Sequence, residues 1–155
     1  MGAIPYPDAS SLTLTIDGNG EWFLDGKRVE NTAVKAFFHR SLVRGANKRF
    51  ELLVGEQRAR VIIANTPAFA RRVTGITDPD TLGIQCLCGR EFRIRPDSLR
   101  YLSAKGYFVA RRMEDGLAVK FLRTASQDLI PYLDEDDSGN TCLAIHAARY
   151  PVRQA

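Results

Sequence analysis

The stretch FELLVGEQRARVIIA, residues 50–64, decides how this chain is read. Apolar and polar residues alternate on both sides of a short G-E-Q break, the period of strands rather than helices. Two runs with so short a break make a hairpin. In the second run Arg58 and Arg60 share a face with Ile62, while Ala59, Val61 and Ile63 share the other and are expected to look inward. Thr66-Pro67 ends the run, because proline cannot donate to a ladder. A matching stretch, YFVARRMEDGLAVKFLR, residues 107–123, reads as a second hairpin around M-E-D-G.

Working outward, LTLTI (12–16) is a short strand, DGNG a turn, and Glu21 to Leu24 a second strand. Asn31 or Thr32 can cap a helix running to about Arg44, with Val34, Phe37, Phe38, Ser41 and Leu42 at helical spacing and Gly45 as its stop. AFARRV (68–73) reads as a short helical piece. Leu82 to Leu87 and Arg90 to Arg95 pair around Cys88-Gly89, Asp97 or Ser98 caps a short helix SLRYLSAK, and Ser126 to Leu133 is helical. TCLAIHA (141–147) is a final strand or short helix. The order is hairpin, helix, hairpin, written twice. An offset of 58 places Phe50 on Phe108, Glu56 on Glu114, Val61 on Val119 and Thr66 on Thr124. The expected fold is α+β: two similar hairpin-helix-hairpin units packed together, residues 1–76 and 77–155.

Composition sets the class. With 155 residues, 45% of them hydrophobic and 26% charged, the chain has the apolar material of a folded globular protein and not of a disordered one. No run approaches the ~20 apolar residues of a membrane span. MGAIPYPDASS lacks the basic patch and apolar core of a signal peptide, and three cysteines are too few for a disulfide scaffold, so a cytoplasmic protein is expected.

The net charge of +4 hides a pattern: residues 27–72 carry a local excess of +8 and residues 90–123 one of +5, framed by acidic segments. Arg outnumbers Lys 17 to 5, and the planar guanidinium fork suits carboxylates and phosphates.

The first half resembles a bacterial family of unknown function, domain of unknown function 1285. The resemblance rests on Gly20, Trp22 and Phe23, then Gly26 in D-G-K-R-V, Phe37, Phe38 and Leu42 in the helix, and Phe50, Val61, Asn65, Pro67 and Phe69 along the hairpin and its N-T-P-x-F end. It covers about residues 12–73. The resemblance implies a duplicated α+β protein with a pleckstrin-homology-like C-terminal barrel. It also implies a small, nucleotide-like ligand and a role in signalling.

The residues carry no phosphate loop, dinucleotide fingerprint, H-E-x-x-H or G-x-S-x-G pattern, and no cofactor is implied. Cys86 and Cys88 on a strand face, with Cys142 and His146 on a helix face, could make a Cys3His zinc site; reduced structural thiols are the plainer reading. DEDDSG (134–139) begins like a calcium loop, but its twelfth position is Ile145, where a bidentate Glu is required. The expected function is therefore non-catalytic binding of a small anionic or nucleotide-like ligand, in a regulatory role. Its contacts are expected from Arg44, Lys48, Arg49, Arg71, Arg72, Arg111 and Arg112, at the ends of elements. The alternatives are nucleic-acid binding through the basic 27–72 block and a protein–protein interaction module, with no membrane partner.

Overall fold

The computed structural model describes residues 13–45, 48–77 and 81–154. The chain divides into two compact units, Met1–Pro67 and Ala68–Ala155.

The first unit is one antiparallel-rich sheet with one helix. Its elements are β1 (Leu14–Ile16), β2 (Trp22–Leu24), β3 (Lys27–Arg28), α1 (Thr32–Ser41), β4 (Leu42–Arg44), β5 (Phe50–Val54) and β6 (Gln57–Ile63), in the sheet order β3-β2-β1-β6-β5-β4. The β1–β2 turn forms because the Asp17 carboxylate accepts the backbone N–H of Asn19 and of Glu21, each at 2.9 Å. Alternation then sorts the faces as expected: Ala59 and Val61 are buried with Leu14, Ile16 and Leu52, while Ile62 is 52% exposed beside Arg58 and Arg60. Asn31 caps α1 through its side-chain oxygen, which accepts the Val34 N–H at 3.1 Å. The helix is shorter than its apolar spacing suggests. It ends at Ser41, and Leu42 enters β4 directly. Gly45 follows that strand rather than ending the helix, and a Cβ there would collide with the Glu51 carboxylate.

The second unit holds β7 (Ala68–Thr77), β8 (Thr81–Cys86), β9 (Glu91–Ile94), β10 (Arg100–Leu102), β11 (Tyr107–Arg111), β12 (Ala118–Phe121), α2 (Arg123–Leu129), β13 (Leu133–Glu135), β14 (Thr141–Ile145), β15 (Ala148–Pro151) and β16 (Arg153–Gln154). Seven strands form a sheet in the order β16-β10-β11-β12-β7-β8-β9, and β13-β14-β15 form another. The larger sheet closes on itself. Ile94 bridges Arg112, the Arg95 N–H donates to the Arg111 carbonyl at 2.8 Å, and the Met113 N–H donates to the Arg93 carbonyl at 2.7 Å. The end of β9 thus lies along the edge of β11, and five strands, β11-β12-β7-β8-β9, make a small barrel. Its interior is filled by Ala68, Ala70, Leu82, Ile84, Ile94, Ala110, Val119 and Phe121 in one continuous core, to which α2 adds Ala125 and Leu129.

These observations correct the expected fold class. The protein is mostly β, with three sheets and only two short α-helices among the described residues, not an α+β pair of hairpin-helix-hairpin units with a pleckstrin-homology-like second unit. Both large sheets pass through the same succession of pairings, but only the first has an α-helix between its third and fourth strands; the second has a single 3-10 turn, Pro96–Ser98. The 58-residue offset also fails in register. Glu51 faces Arg60 in the first hairpin, whereas Val109 faces Lys120 in the second, two residues further on. The longer M-E-D-G turn accounts for the slip.

Two segments read as helical are strands. AFARRV opens β7, where register shifts between Ala70 and Arg72 and between Val73 and Gly75 break the period of two. SLRYLSAK becomes β10: Leu99 is fully buried and Tyr101 half-buried, a period of two, and Pro96 begins only the 3-10 turn. No helix among the described residues is long and apolar enough to cross a membrane.

Candidate anion-binding face

Pleating divides the strands of the second unit into an inner and an outer set. Tyr101, Phe108, Ala110, Val119 and Phe121 turn toward the core. Their neighbours in sequence, Arg100, Leu102, Tyr107, Val109, Arg111, Ala118 and Lys120, turn the other way. The ladder sets these outer residues side by side. Arg153 lies opposite Arg100, Arg100 opposite Val109, and Val109 opposite Lys120, a single row across β16, β10, β11 and β12. Arg111 stands two positions along β11 from that row. None of the four strands contains a carboxylate.

The four cations differ in commitment. Arg100 and Arg153 are exposed, and their side chains have no ion-pair or hydrogen-bond partner among the described residues. Arg111 spends one N–H on the Gly116 carbonyl at 3.0 Å, and the Lys120 ammonium sits 4.2 Å from the centre of the Tyr107 ring. Like charges directly opposite on adjacent strands, ~4.8 Å apart, repel one another. An anion at the Arg100–Arg153 pair would remove that cost.

The residues expected at the site fall in both units. Arg44 closes β4 with its guanidinium 5.2 Å from the centre of the Phe50 ring; Lys48 adopts a left-handed φ of 60° and Arg49 is exposed beside it in sequence. In the second unit Arg71 donates to Gln85 at 3.0 Å. Arg72 is held by both oxygens of Asp128, at 2.7 and 3.2 Å, and the same carboxylate accepts the Val73 N–H of the bulged strand at 3.1 Å. This bidentate pairing keeps the Asp128 carboxyl below its usual range.

Arg112 is 8% exposed and paired with Asp115 through both oxygens. Its guanidinium lies 3.8 Å from the centre of the Phe92 ring, and one N–H approaches the Cys86 sulfur at 3.8 Å. Arg72 and Arg112 are therefore structural, and of the expected contacts only Arg111 belongs to the outer row. Arg100, Lys120 and Arg153 were not legible as a group without the register. Within each strand the signal was present: each cation has the parity opposite to the core residues. The 27–72 block is partly neutralised in place, Arg28 and Lys35 by Glu21 at 3.3 and 3.4 Å and Arg58 by Glu51 at 3.2 Å.

The metal hypothesis fails on geometry. Cys142 lies on β14 and His146 just past its end, not on a helix; four residue steps along the strand put them ~13 Å apart. Among the described residues no group of three or more His, Cys, Asp or Glu could hold a metal ion. Cys86, Cys88 and Cys142 are reduced and buried, and burial pushes the Cys86 thiol up to about 12, so it is not a nucleophile at neutral pH. In DEDDSGN, Asp134 pairs with Arg149 at 2.9 Å, and Asp136 accepts the N–H of Ser138 and of Asn140, each at 2.9 Å, to fix the β13–β14 turn.

His39 is a half-buried residue of α1. Its Nε2 accepts the Trp22 indole N–H at 3.1 Å, and it also bonds the backbone of Gly20. Burial pushes its pKa down from 6.5 to about 4, with the nearby Lys35 charge adding to the effect against Glu21. It is a neutral acceptor that holds the fully buried Trp22.

No family model matches the chain, and no curated protein matches it. Solved structures do. A DUF1285 family protein from Silicibacter pomeroyi DSS-3 superposes with a TM-score of 0.70 at 19% identity, over 92% of this chain and 80% of that one. A DUF1285 family protein from Shewanella baltica OS155 does so with a TM-score of 0.63 at 14% identity, over 79% of this chain and 93% of that one. At such identities the likeness is one of fold. It extends the resemblance carried by Gly20, Trp22, Phe37 and Pro67 to most of the chain, which is DUF1285-like in fold.

Proposed function

We propose that this chain is a non-catalytic binding or regulatory module that recognises a phosphate-bearing anion on the outer face of β16-β10-β11-β12. The observation that carries the reading is the Arg100–Arg153 pair: two exposed guanidiniums set opposite one another in parallel register, with no partner of their own. Guanidinium forks bind phosphate bidentately, and a shared anion turns a repulsive pair into an attractive one. Arg111 and Lys120 add charge on the same face.

The test is a thermal-shift titration with pyrophosphate and nucleotides. A ligand that binds only the native state raises its melting temperature; at a hundredfold excess over Kd the gain is ~2.7 kcal/mol, or ~5–10 °C for a chain of this size. The shift should vanish in the Arg100→Ala/Arg153→Ala variant. Absence of any shift at millimolar ligand, or an undiminished shift in the variant, refutes the reading.

A further inference from the structure

The spacing of the cations narrows the ligand class. Resting on the anion-binding reading above, we infer that this face holds the phosphodiester backbone of a single-stranded nucleic acid and does so without reading its sequence.

Three strand-to-strand steps separate Arg153 from Lys120 in their shared row, ~14 Å in all, and Arg111 lies ~7 Å off the row along β11. One phosphate cannot engage cations spread over that distance, whereas successive phosphates of one chain can. The acids nearest in sequence, Asp97, Glu114 and Asp115, already face Arg95, Arg93 and Arg112. Three of the four cations are Arg, the better phosphate fork.

The same face argues against other polyanionic surfaces. Among the described residues the exposed large apolar side chains are Val34, Phe37, Val54, Ile62, Ile76, Met113 and Ile130, and none is in β10, β11, β12 or β16, so this face presents no exposed large apolar side chain to a bilayer. Arg153, Arg100 and Lys120 share a single row, which suits one strand of phosphates. Bases gain no platform either. Tyr101 and Phe108 pack on the opposite face against each other, with ring centres 4.9 Å apart, and the Tyr107 ring already carries the Lys120 ammonium. Without stacking, binding is through the backbone alone and is sequence-independent.

Backbone-only binding makes a quantitative demand. For single strands the slope of log K against log salt is about −0.7 per neutralised phosphate, so four cations give about −2.8 and affinity falls ~50-fold between 50 and 200 mM salt. Removing Arg100 and Arg153 should bring the slope to about −1.4 and the fall to ~7-fold. The experiment is fluorescence anisotropy with a labelled oligothymidylate of ~12 nucleotides, on the full chain, with Arg149→Ala as a control cation in another sheet. Circular dichroism confirms that each variant is folded.

Salt-dependent binding that loses about half its slope in Arg100→Ala/Arg153→Ala, keeps it in Arg149→Ala, and is equal for oligoadenylate supports the inference. Several results overturn it: no binding at the lower salt, a slope indifferent to the double variant, tighter binding to duplex, equal competition by polyglutamate, or binding to anionic phosphatidylserine vesicles but not to the oligonucleotide. A pyrophosphate thermal shift without oligonucleotide binding sinks this inference and leaves the anion-binding reading standing; failure of both ligands sinks both.

Discussion

Acidification from pH 7 to 5 should weaken the first unit through one imidazole, and the indole beside it should report the loss. His39 Nε2 accepts the N–H of Trp22, the chain's one tryptophan, while the imidazole also bonds Gly20. A proton arriving at Nε2 would face a donor across 3.1 Å, on a half-buried side chain. The pKa accordingly falls from 6.5 in the unfolded chain to about 4 in the folded one. Between these values the unfolded state binds more protons, so stability rises with pH through the window. It is fully present above pH 6.5, and is lost progressively as pH falls toward 4. The complete loss is about 3 kcal/mol, and about 2 kcal/mol of it has gone by pH 5.

The assay is urea unfolding followed by Trp22 fluorescence at both pH values. With a slope of ~1–3 kcal/mol per molar urea, the midpoint should fall by about 1 M. His39→Gln keeps a neutral acceptor for the indole without the titration, so its midpoint should hold steady across the same window. An imidazole resonance of His39 titrating near 6.5 by NMR would refute the reasoning, as would an equal fall in the Gln variant.

Two further outcomes test the packing of the second unit. Asp115→Ala strands the buried guanidinium of Arg112 and should cost ~2–3 kcal/mol, below the ~3–5 of a fully buried pair because the Asp115 side chain is 38% exposed. Arg112→Met fills the same space with apolar atoms, so adding it to Asp115→Ala should recover most of the loss in denaturation followed by circular dichroism; a double variant no more stable than Asp115→Ala contradicts the pairing argument. Gly83→Ala should lower stability by ~1–3 kcal/mol in the same measurement, since its Cβ would press on the Thr74 hydroxyl and come within 3.1 Å of the Thr77 methyl. Thr74→Ala should restore part of that loss, and a neutral Gly83→Ala would show the contact to be slack.

Where local pattern and tertiary structure agree, the sequence was readable. The 50–63 and 107–121 hairpins follow from alternation and turn residues, and the Asn31 cap from residue type alone. Pattern misled at β7, for a physical reason: two register shifts displace Arg71-Arg72 and Val73-Thr74 from strict alternation, so a strand presents the spacing of a helix. At β10 Asp97 and Ser98 have the side chains of helix caps, but Pro96–Ser98 makes only a 3-10 turn and the chain continues as strand after the buried Leu99. The closure of β9 onto β11 leaves no mark in either strand's sequence. It is set by backbone hydrogen bonds between Arg93–Arg95 and Arg111–Met113.

The same logic separates arginines on the surface from arginines that hold the fold. Arg111 and Arg112 are adjacent, and a pleated strand sends adjacent side chains to opposite faces. Arg112 follows the parity of Ala110 into the barrel, and a buried guanidinium there needs a carboxylate, which Asp115 supplies from the turn. Arg111 emerges on the outer face with Arg100, Lys120 and Arg153. A run of two arginines in a strand therefore contributes one unpaired charge to the surface, the other being cancelled by Asp115. Of what remains outside, Arg100, Arg111 and Lys120 lie with Arg153 on strands that contain no acid, and it is this residue-by-residue sorting, not the net +4, that makes a chain of phosphates the partner to test.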